Sequence, residues 1–331
     1  MIIEQRAYAR AGLLGNPSDG YFGKTISIIV RNFGAHVILY ESPELRIDPH
    51  ETDGSAYKSM DHFIESVGQT GYYGGTRLVK AAIKKFHEHC GKSGIPLASR
   101  NFTIRYDTSI PRQVGLAGSS AIITATMQAL MRFYDAGIPR EILPNLILAV
   151  ETEELGISAG LQDRVAQVYE GCVYMDFDRS LMDSQGHGRY EPMDPGLLPR
   201  LYIAYKTELS KVSGKVHSTL RSRYEAGDPL VIATLNRIAE IAAEGREAIL
   251  ARDTLRLFKL INENFDQRTK IMPISDSNME MIRTARRYGA SASFTGSGGS
   301  IVGTFGDDAM LNRLVAELKK LNAKVIQPVI V

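Results

Sequence analysis

Apolar and polar residues recur along this chain in short runs, and each run predicts one element. Residues 2–14 (IIEQRAYARAGLL) read as a strand that enters a cluster of turn formers, Gly15, Asn16, Pro17, Asp19 and Gly20. Two β-rich runs follow, Thr25 to Arg31 and Ala35 to Tyr40. Residues 58–66 suggest a short helix. Gly75 to Cys90 predicts a stronger one, with Leu78, Val79, Ala82, Ile83 and Phe86 on one face and Gly91 at its end. Lys80, Lys84, Lys85 and His87 then form its solvated face. Asn101 to Tyr106 is an apolar, β-favouring run, and a glycine- and serine-rich loop separates it from a long helical run, Ala121 to Tyr134. A further helix is expected from Arg140 to Glu154, then a turn over Gly156 to Gly160, a short helix to Tyr169, and a strand from Gly171 to Phe177.

The stretch from Met182 to Pro199 is rich in Gly, Pro and Asp and marks the expected boundary between a first domain, 1–190, and a second, 191–331. The second half opens with a strand, Leu201 to Tyr205. Helical patterns run through 215–226, 228–247, 253–268 and 276–288. It closes as strand (Ala290 to Thr295), glycine turn, strand (Ser300 to Thr304), helix (Asp307 to Leu321) and strand (Lys324 to Val329), which suggests a small α/β sandwich. Both halves mix helices with short strands, so the fold class is α+β.

Composition narrows the partners. The 331 residues suffice for a sizeable core and favour two domains. Lys+Arg 39 against Asp+Glu 37 leaves a net charge of +2, which gives no global reason to expect nucleic acid or a membrane surface. Cys90 and Cys172 are too few for a disulfide scaffold or a thiolate zinc site. The first residues lack a long apolar segment and no run approaches membrane-spanning length, so a soluble, cytoplasmic protein is expected.

The densest chemistry lies in residues 111–121 (PRQVGLAGSSA). Gly115 and Gly118 free the backbone to approach a ligand, and Ser119 and Ser120 open a helix whose N–H groups and dipole favour an anion. A plain capping role for Ser119 is the alternative. Other phosphate motifs fail. Gly23-Lys24-Thr25 ends like a P-loop, but Ser18 stands where its first glycine belongs; Gly296 to Gly303 misses the dinucleotide pattern because Ile301 replaces the last glycine.

Glu151 and Asp163 lie 12 residues apart, around the glycine turn. Phosphoryl transfer needs Mg²⁺ on hard oxygen ligands and benefits from a carboxylate that accepts the proton of the attacking hydroxyl. A solvated helix end, with Glu151 beside Glu153 and Glu154, and an N-cap at Asp163 are the competing readings. Arg10, with the turn from Gly15 to Asp19, suits a polyol: Asp19 can accept sugar hydroxyls and Arg10 can sit near charge developing on a phosphoryl group. Asp19 serves equally well as a turn residue.

Together these stretches resemble the GHMP kinase superfamily of sugar and small-alcohol kinases. Arg10 to Asp19 is similar to its substrate motif, Pro111 to Ala121 to its ATP loop, with Ala117-Gly118 lengthening the usual wording, and Phe294 to Gly299 to the third motif that buttresses that loop. The resemblance narrows to the glucuronokinases on residues 12–19 with 21–27, 110–121, 159–169, 213–219 and 294–299. It implies an α+β fold of two domains: an N-terminal one like the second domain of ribosomal protein S5, with a left-handed βαβ crossover against the usual rule, and a ferredoxin-like C-terminal α/β sandwich. It also implies transfer of the ATP γ-phosphoryl to the anomeric hydroxyl of a sugar acid, D-glucuronate. Asp163 would be the base, Arg10 the charge stabiliser, Ser120 and Glu151 the Mg²⁺ ligands, and Asp19 the holder of sugar hydroxyls. Pro111, Gly115, Leu116, Ala117, Gly118, Ser119, Ser120, Ala121, Gly296 and Gly298 would surround ATP. Mevalonate-type relatives carry a lysine where Arg10 stands. No single cation stands out for the substrate carboxylate; Arg112, Arg164 and Lys215 are the candidates. Tyr72 and Tyr73 can form part of a ligand wall or pack on the core. A kinase for another sugar (galacturonate, galactose or a heptose phosphate) and a catalytically silent sensor are the competing functions, and the presence of Asp163, Glu151 and Ser120 argues against the second.

Overall fold

The computed structural model describes residues 1–49, 74–207 and 215–331, the side chains of 215–219 excepted. The expected helix over 58–66, Tyr72 and Tyr73 lie outside the described residues.

Strands β1 (Ile2–Leu14) and β2 (Lys24–Ser42) form a long antiparallel ribbon. The two runs expected at 25–31 and 35–40 are halves of this one strand β2. Tyr8 faces Gly34 while Ala9 faces Val30, so residues 31–33 have no counterpart on β1 and the ribbon bends there. The far end of the chain fills the gap: the Arg31 N–H donates to Val329 O (2.9 Å) and the Val329 N–H to Asn32 Oδ1 (2.8 Å). Strands β3 (Arg46–Asp48) and β4 (Asn101–Thr108) pair in parallel, with helix α1 (Gly75–Lys92) between them in sequence. The free edge of β2 is divided, its second half bordering β4 and its first half β5 (Cys172–Asp176), which β6 (Arg189–Met193) follows.

Helix α2 (Gly118–Tyr134) packs against β1, β2 and α1, and every residue from Ser120 to Leu130 except Gln128 is buried. Such a helix is apolar on nearly all sides because it has no solvated face to supply. Next come α3 (Leu143–Ala149), continued by a π-helical segment over Val150–Glu154, then α4 (Gln162–Tyr169) and α5 (Arg179–Gln185). The apolar stripe of α1 is as predicted, but Lys85 does not face water. It is 8% exposed and reaches Glu88 (3.4 Å), Glu153 (3.0 Å) and Glu154 (2.8 Å), because α1 lies against the π-helical segment.

The second sheet holds β7 (Leu201–Lys206), β8 (Ser293–Phe294), β9 (Ser300–Thr304) and β10 (Ala323–Ile326), all antiparallel in the order β10-β7-β9-β8. Helices α6 (Lys215–Glu225), α7 (Pro229–Leu250), α8 (Thr254–Thr269) and α9 (Asp276–Arg287) lie between β7 and β8, and α10 (Asp308–Lys319) between β9 and β10. This strand order is that of the expected ferredoxin-like sandwich. β8 is shorter than predicted, although the Ser291 N–H before it still donates to Thr304 O of β9 (3.1 Å) and the Ala292 N–H, on the outer edge, donates to Asn262 Oδ1 (2.9 Å).

Side-chain alternation along β7 shows how the halves join. Leu201, Ile203 and Tyr205 enter the core that also holds β1, β2 and α2, while Tyr202 and Ala204 enter a second cluster with Phe265, Met281 and Leu314. The chain changes sheets between Met193 and Leu201, so the expected 190/191 division falls within β6. Cys90 and Cys172 are buried free thiols, and among the described residues no helix is long and apolar enough to cross a membrane.

Candidate active site

The loop between β4 and α2 turns on three left-handed residues, Gln113 (φ 57°), Gly115 (φ 75°) and Ala117 (φ 60°). Val114 and Leu116 anchor it in the core, while Arg112, Gln113 and Ser119 face outward. Ala117, not Ser119, occupies the N-cap position, and no side chain caps the helix. The Ala117 carbonyl accepts from Ser120 Oγ (3.1 Å) and from Gln167 Nε2 (2.9 Å), which holds the unusual backbone in place. The N–H groups of Gly118, Ser119 and Ser120 belong to a first turn and have no intrahelical partner, the arrangement that receives phosphate oxygens.

A second turn braces this loop from behind. Thr295 Oγ1 donates to Gly115 O (3.1 Å) and Ser300 Oγ to Val114 O (2.5 Å). The turns approach so closely that a Cβ on Gly296 would stand 2.6 Å from Gly115 O, and one on Gly299 2.9 Å from Val114 Cα. β1 ties both together: the Arg10 N–H donates to Leu116 O (3.1 Å) and the Gly12 N–H to Thr295 O (2.7 Å). Gly298 also backs the loop: a Cβ on Gly115 would stand 2.9 Å from Gly298 O, while one on Gly298 would stand 3.0 Å from Asn278 Nδ2.

The Arg10 side chain, 4% exposed, joins all of this to the carboxylates. Nη1 donates to Gly115 O (3.3 Å) and Thr295 O, and Nη2 donates to Asp163 Oδ1. Asp163 lies in the first turn of α4, its side chain 21% exposed, with Arg164 Nη1 at 3.5 Å from its other oxygen. It is the second residue of that helix rather than its cap. Arg164, a candidate for the substrate carboxylate, is committed inside the protein: Nη2 pairs with Glu151, Nη1 donates to Gly160 O (2.8 Å), and burial pushes its pKa down to about 9. Glu151 is therefore no solvated helix end. The π-helical register turns it inward to 2% exposure while Glu153 and Glu154 turn toward Lys84 and Lys85.

Asp19 closes the constellation. It accepts from the Gln162 N–H (3.2 Å), and burial, followed by the nearby Asp163 charge, raises its pKa to about 6. A Cβ on Gly160 would overlap its carboxylate, so the glycine is needed for the approach. The turn before Asp19 is held from α8: Asn264 Oδ1 accepts from the Gly15 N–H (2.8 Å), and Arg268 Nη1 donates to Asn16 Oδ1 (2.8 Å) and Gly296 O (2.8 Å). The sequence reading missed Gln167, Asn264 and Arg268. Each lies at least 50 residues from a partner here, and no local motif announces it. Arg112 stands on the outer face of the loop. Lys215 begins α6, and its side chain is outside the description.

The donor set suits Mg²⁺ in kind. Ser120 offers a hydroxyl oxygen and Glu151 a carboxylate, hard ligands of the sort that complete a shell of phosphate oxygens and water. Among the described residues no cluster of three His, Cys, Asp or Glu side chains can hold a metal by itself. A cation here depends on phosphates, and it competes with Arg164 for Glu151.

Comparison with known proteins gives the family. The family described as GHMP kinases N terminal domain matches residues 77–171. Glucuronokinase 1 of Arabidopsis thaliana is 47% identical over 306 residues, 91% of this chain and 84% of that one. Probable glucuronokinase 2 of the same plant is 45% identical, over 99% and 91%. Among solved structures, the Streptococcus pneumoniae phosphomevalonate kinase in complex with phosphomevalonate and AMPPNP superposes with a TM-score of 0.76 at 14% identity, covering 99% of this chain and 100% of that one. The chain belongs to the GHMP kinase family, phosphotransferases that act on a hydroxyl group.

Proposed function

We propose that this kinase transfers the γ-phosphoryl group of ATP to the anomeric hydroxyl of D-glucuronate, giving glucuronate 1-phosphate and ADP. The observation that carries the reaction is the Arg10 guanidinium, bonded at once to Asp163, to the Gly115 carbonyl of the phosphate loop and to the Thr295 carbonyl of the bracing turn. The identity of 45–47% with glucuronokinases supports the choice of sugar acid. The triphosphate lies along residues 111–121, its oxygens on the first-turn N–H groups of α2. Asp163 accepts the proton of the attacking hydroxyl as the bond to phosphorus forms and the bond to the β-phosphate oxygen breaks. Arg10 orients Asp163 and faces the charge that develops on the moving phosphoryl group. Asp19 accepts hydrogen bonds from sugar hydroxyls, and Gly160 leaves it room. Ser120 and Glu151 would hold Mg²⁺, which neutralises phosphate charge when bound.

Coupled ADP release over a panel of glucuronate, galacturonate, galactose and a heptose phosphate tests the substrate. Turnover of another sugar with none on glucuronate overturns the assignment. Asp163→Asn is expected to lose turnover by at least about a hundredfold while ATP affinity stays within a few fold. Full activity in that variant removes Asp163 from the role of base.

A further inference from the structure

Arg268 is the large charged side chain that the reaction above leaves without a task. It is 1% exposed, and both acceptors of Nη1, Asn16 Oδ1 and Gly296 O, are neutral. Among the described residues no carboxylate forms an ion pair with it, and Nε is buried without a hydrogen-bond partner. The Asp19 charge acts on it without forming an ion pair, and a guanidinium held out of water with no paired carboxylate is costly unless an anion arrives to meet it. Burial lowers its pKa to about 10, so it stays a cation at neutral pH. Its two acceptors locate it: Asn16 belongs to the turn that carries Asp19, and Gly296 to the turn that braces the phosphate loop. Arg10 already occupies the phosphate side through Gly115 and Asp163. Among its charged neighbours Asp19 of the sugar turn acts on Arg268 ahead of Arg10, which sets it beside the sugar turn.

The other cations near the sugar turn are less suited. Arg164 is spent on Glu151. Arg112 is exposed, and Arg221, beside Gly20 and the Tyr21 ring, is 49% exposed and faces Glu225 at 4.0 Å. An ion pair in open water adds little discrimination. A dry, planar fork adds both charge and geometry.

We propose that Arg268 is the residue that recognises the carboxylate of the sugar-acid substrate and so sets acid against neutral sugar. This rests on the sugar-acid reading above. The test is steady-state kinetics on the full chain, wild type against Arg268→Gln and Arg268→Lys, with glucuronate as substrate and glucose, which differs only in bearing CH₂OH for the carboxylate, as competitive inhibitor. Loss of one charge-assisted contact predicts a KM for glucuronate raised about tenfold to a hundredfold in Arg268→Gln, with KM for ATP within threefold. Glucose inhibition should barely change, so the preference for acid over neutral sugar collapses, and Arg268→Lys should recover part of it.

Several results overturn the proposal. An unchanged KM for glucuronate does so. Equal weakening of glucuronate and glucose makes Arg268 a strut for Asn16 and Gly296 only. A rise confined to KM for ATP and a fall in kcat place its anion on the phosphoryl group instead. If the Gln variant does not fold by circular dichroism, the Lys variant decides: wild-type preference for acid over neutral sugar in it refutes a role for the fork. A wild type that turns over a different sugar acid fails the proposed substrate yet still tests Arg268 with that acid. A wild type active on neutral sugars alone overturns both.

Discussion

Asp19→Asn should make this protein more stable while depriving it of its sugar. The Asp19 carboxyl has a pKa of about 6 in the fold against 3.8 ordinarily, because burial and the neighbouring Asp163 charge disfavour its ionised form. A carboxyl whose folded pKa is raised binds protons more tightly in the native state than in the unfolded one. Its contribution is therefore neutral below pH 3.8 and becomes destabilising as pH rises through 6. Above that, holding the charge costs the fold about 3 kcal/mol if the whole shift is taken at face value. Asp19 is only half-buried, so water screens part of the charge, and about 1–2 kcal/mol is the working expectation. Asparagine removes the charge and keeps an oxygen for the Gln162 N–H. Urea unfolding without ligands at pH 8, 7, 5 and 4, followed by far-UV circular dichroism because the chain has no tryptophan, measures the difference. The variant should exceed wild type at pH 7 and 8, and the gap should close by pH 4. Equal stability at pH 8, or a gap that persists at pH 4, refutes the reasoning. In the same variant KM for sugar should rise at least about tenfold, since the proposed acceptor of sugar hydroxyls has lost its charge.

Two other sites give sharp outcomes. Arg164→Met strands the buried Glu151 carboxylate and should cost about 3–5 kcal/mol in urea unfolding; Glu151→Gln with Arg164→Met should regain much of that stability and none of the activity, so a double variant as unstable as the single refutes the pairing. Gly296→Ala inserts a methyl 2.6 Å from Gly115 O and 3.1 Å from Arg10 Nη1, and should raise KM for ATP about tenfold or more with an unaltered dichroism spectrum; unchanged ATP kinetics would mean the braced turn does not position the phosphate loop.

Much of this arrangement is written locally in the chain. Helices α1, α2, α7, α8 and α9 follow from periodicity, and β1 from its run into Gly15 and Asn16. The glycine loop at 111–121 and its ordered companions identify the family. Other features depend on contacts that no window of sequence contains. The residues 31–33 that split β2 are decided by the far end of the chain at Val329. Lys85 looks solvated on its own helix and is buried by the π-helical segment some 70 residues on. Glu151 takes its direction from a register change that its neighbours Glu153 and Glu154 do not reveal. Arg164, beside Asp163, has the look of a substrate ligand, and only the fold shows its guanidinium turned to Glu151. Arg268 sits in an ordinary amphipathic helix, and its place beside the sugar turn comes from the docking of α8 against Asn16 and Gly296.

The inward face of β7 has a consequence for how the two sheets can move. Leu201, Ile203 and Tyr205 are embedded in the same apolar mass as β1, β2 and α2, and Tyr205 meets Phe33 edge to face at 5.5 Å. Swinging the two sheets apart would tear this seam and wet it, so the packing of β7 opposes a book-like opening of the molecule.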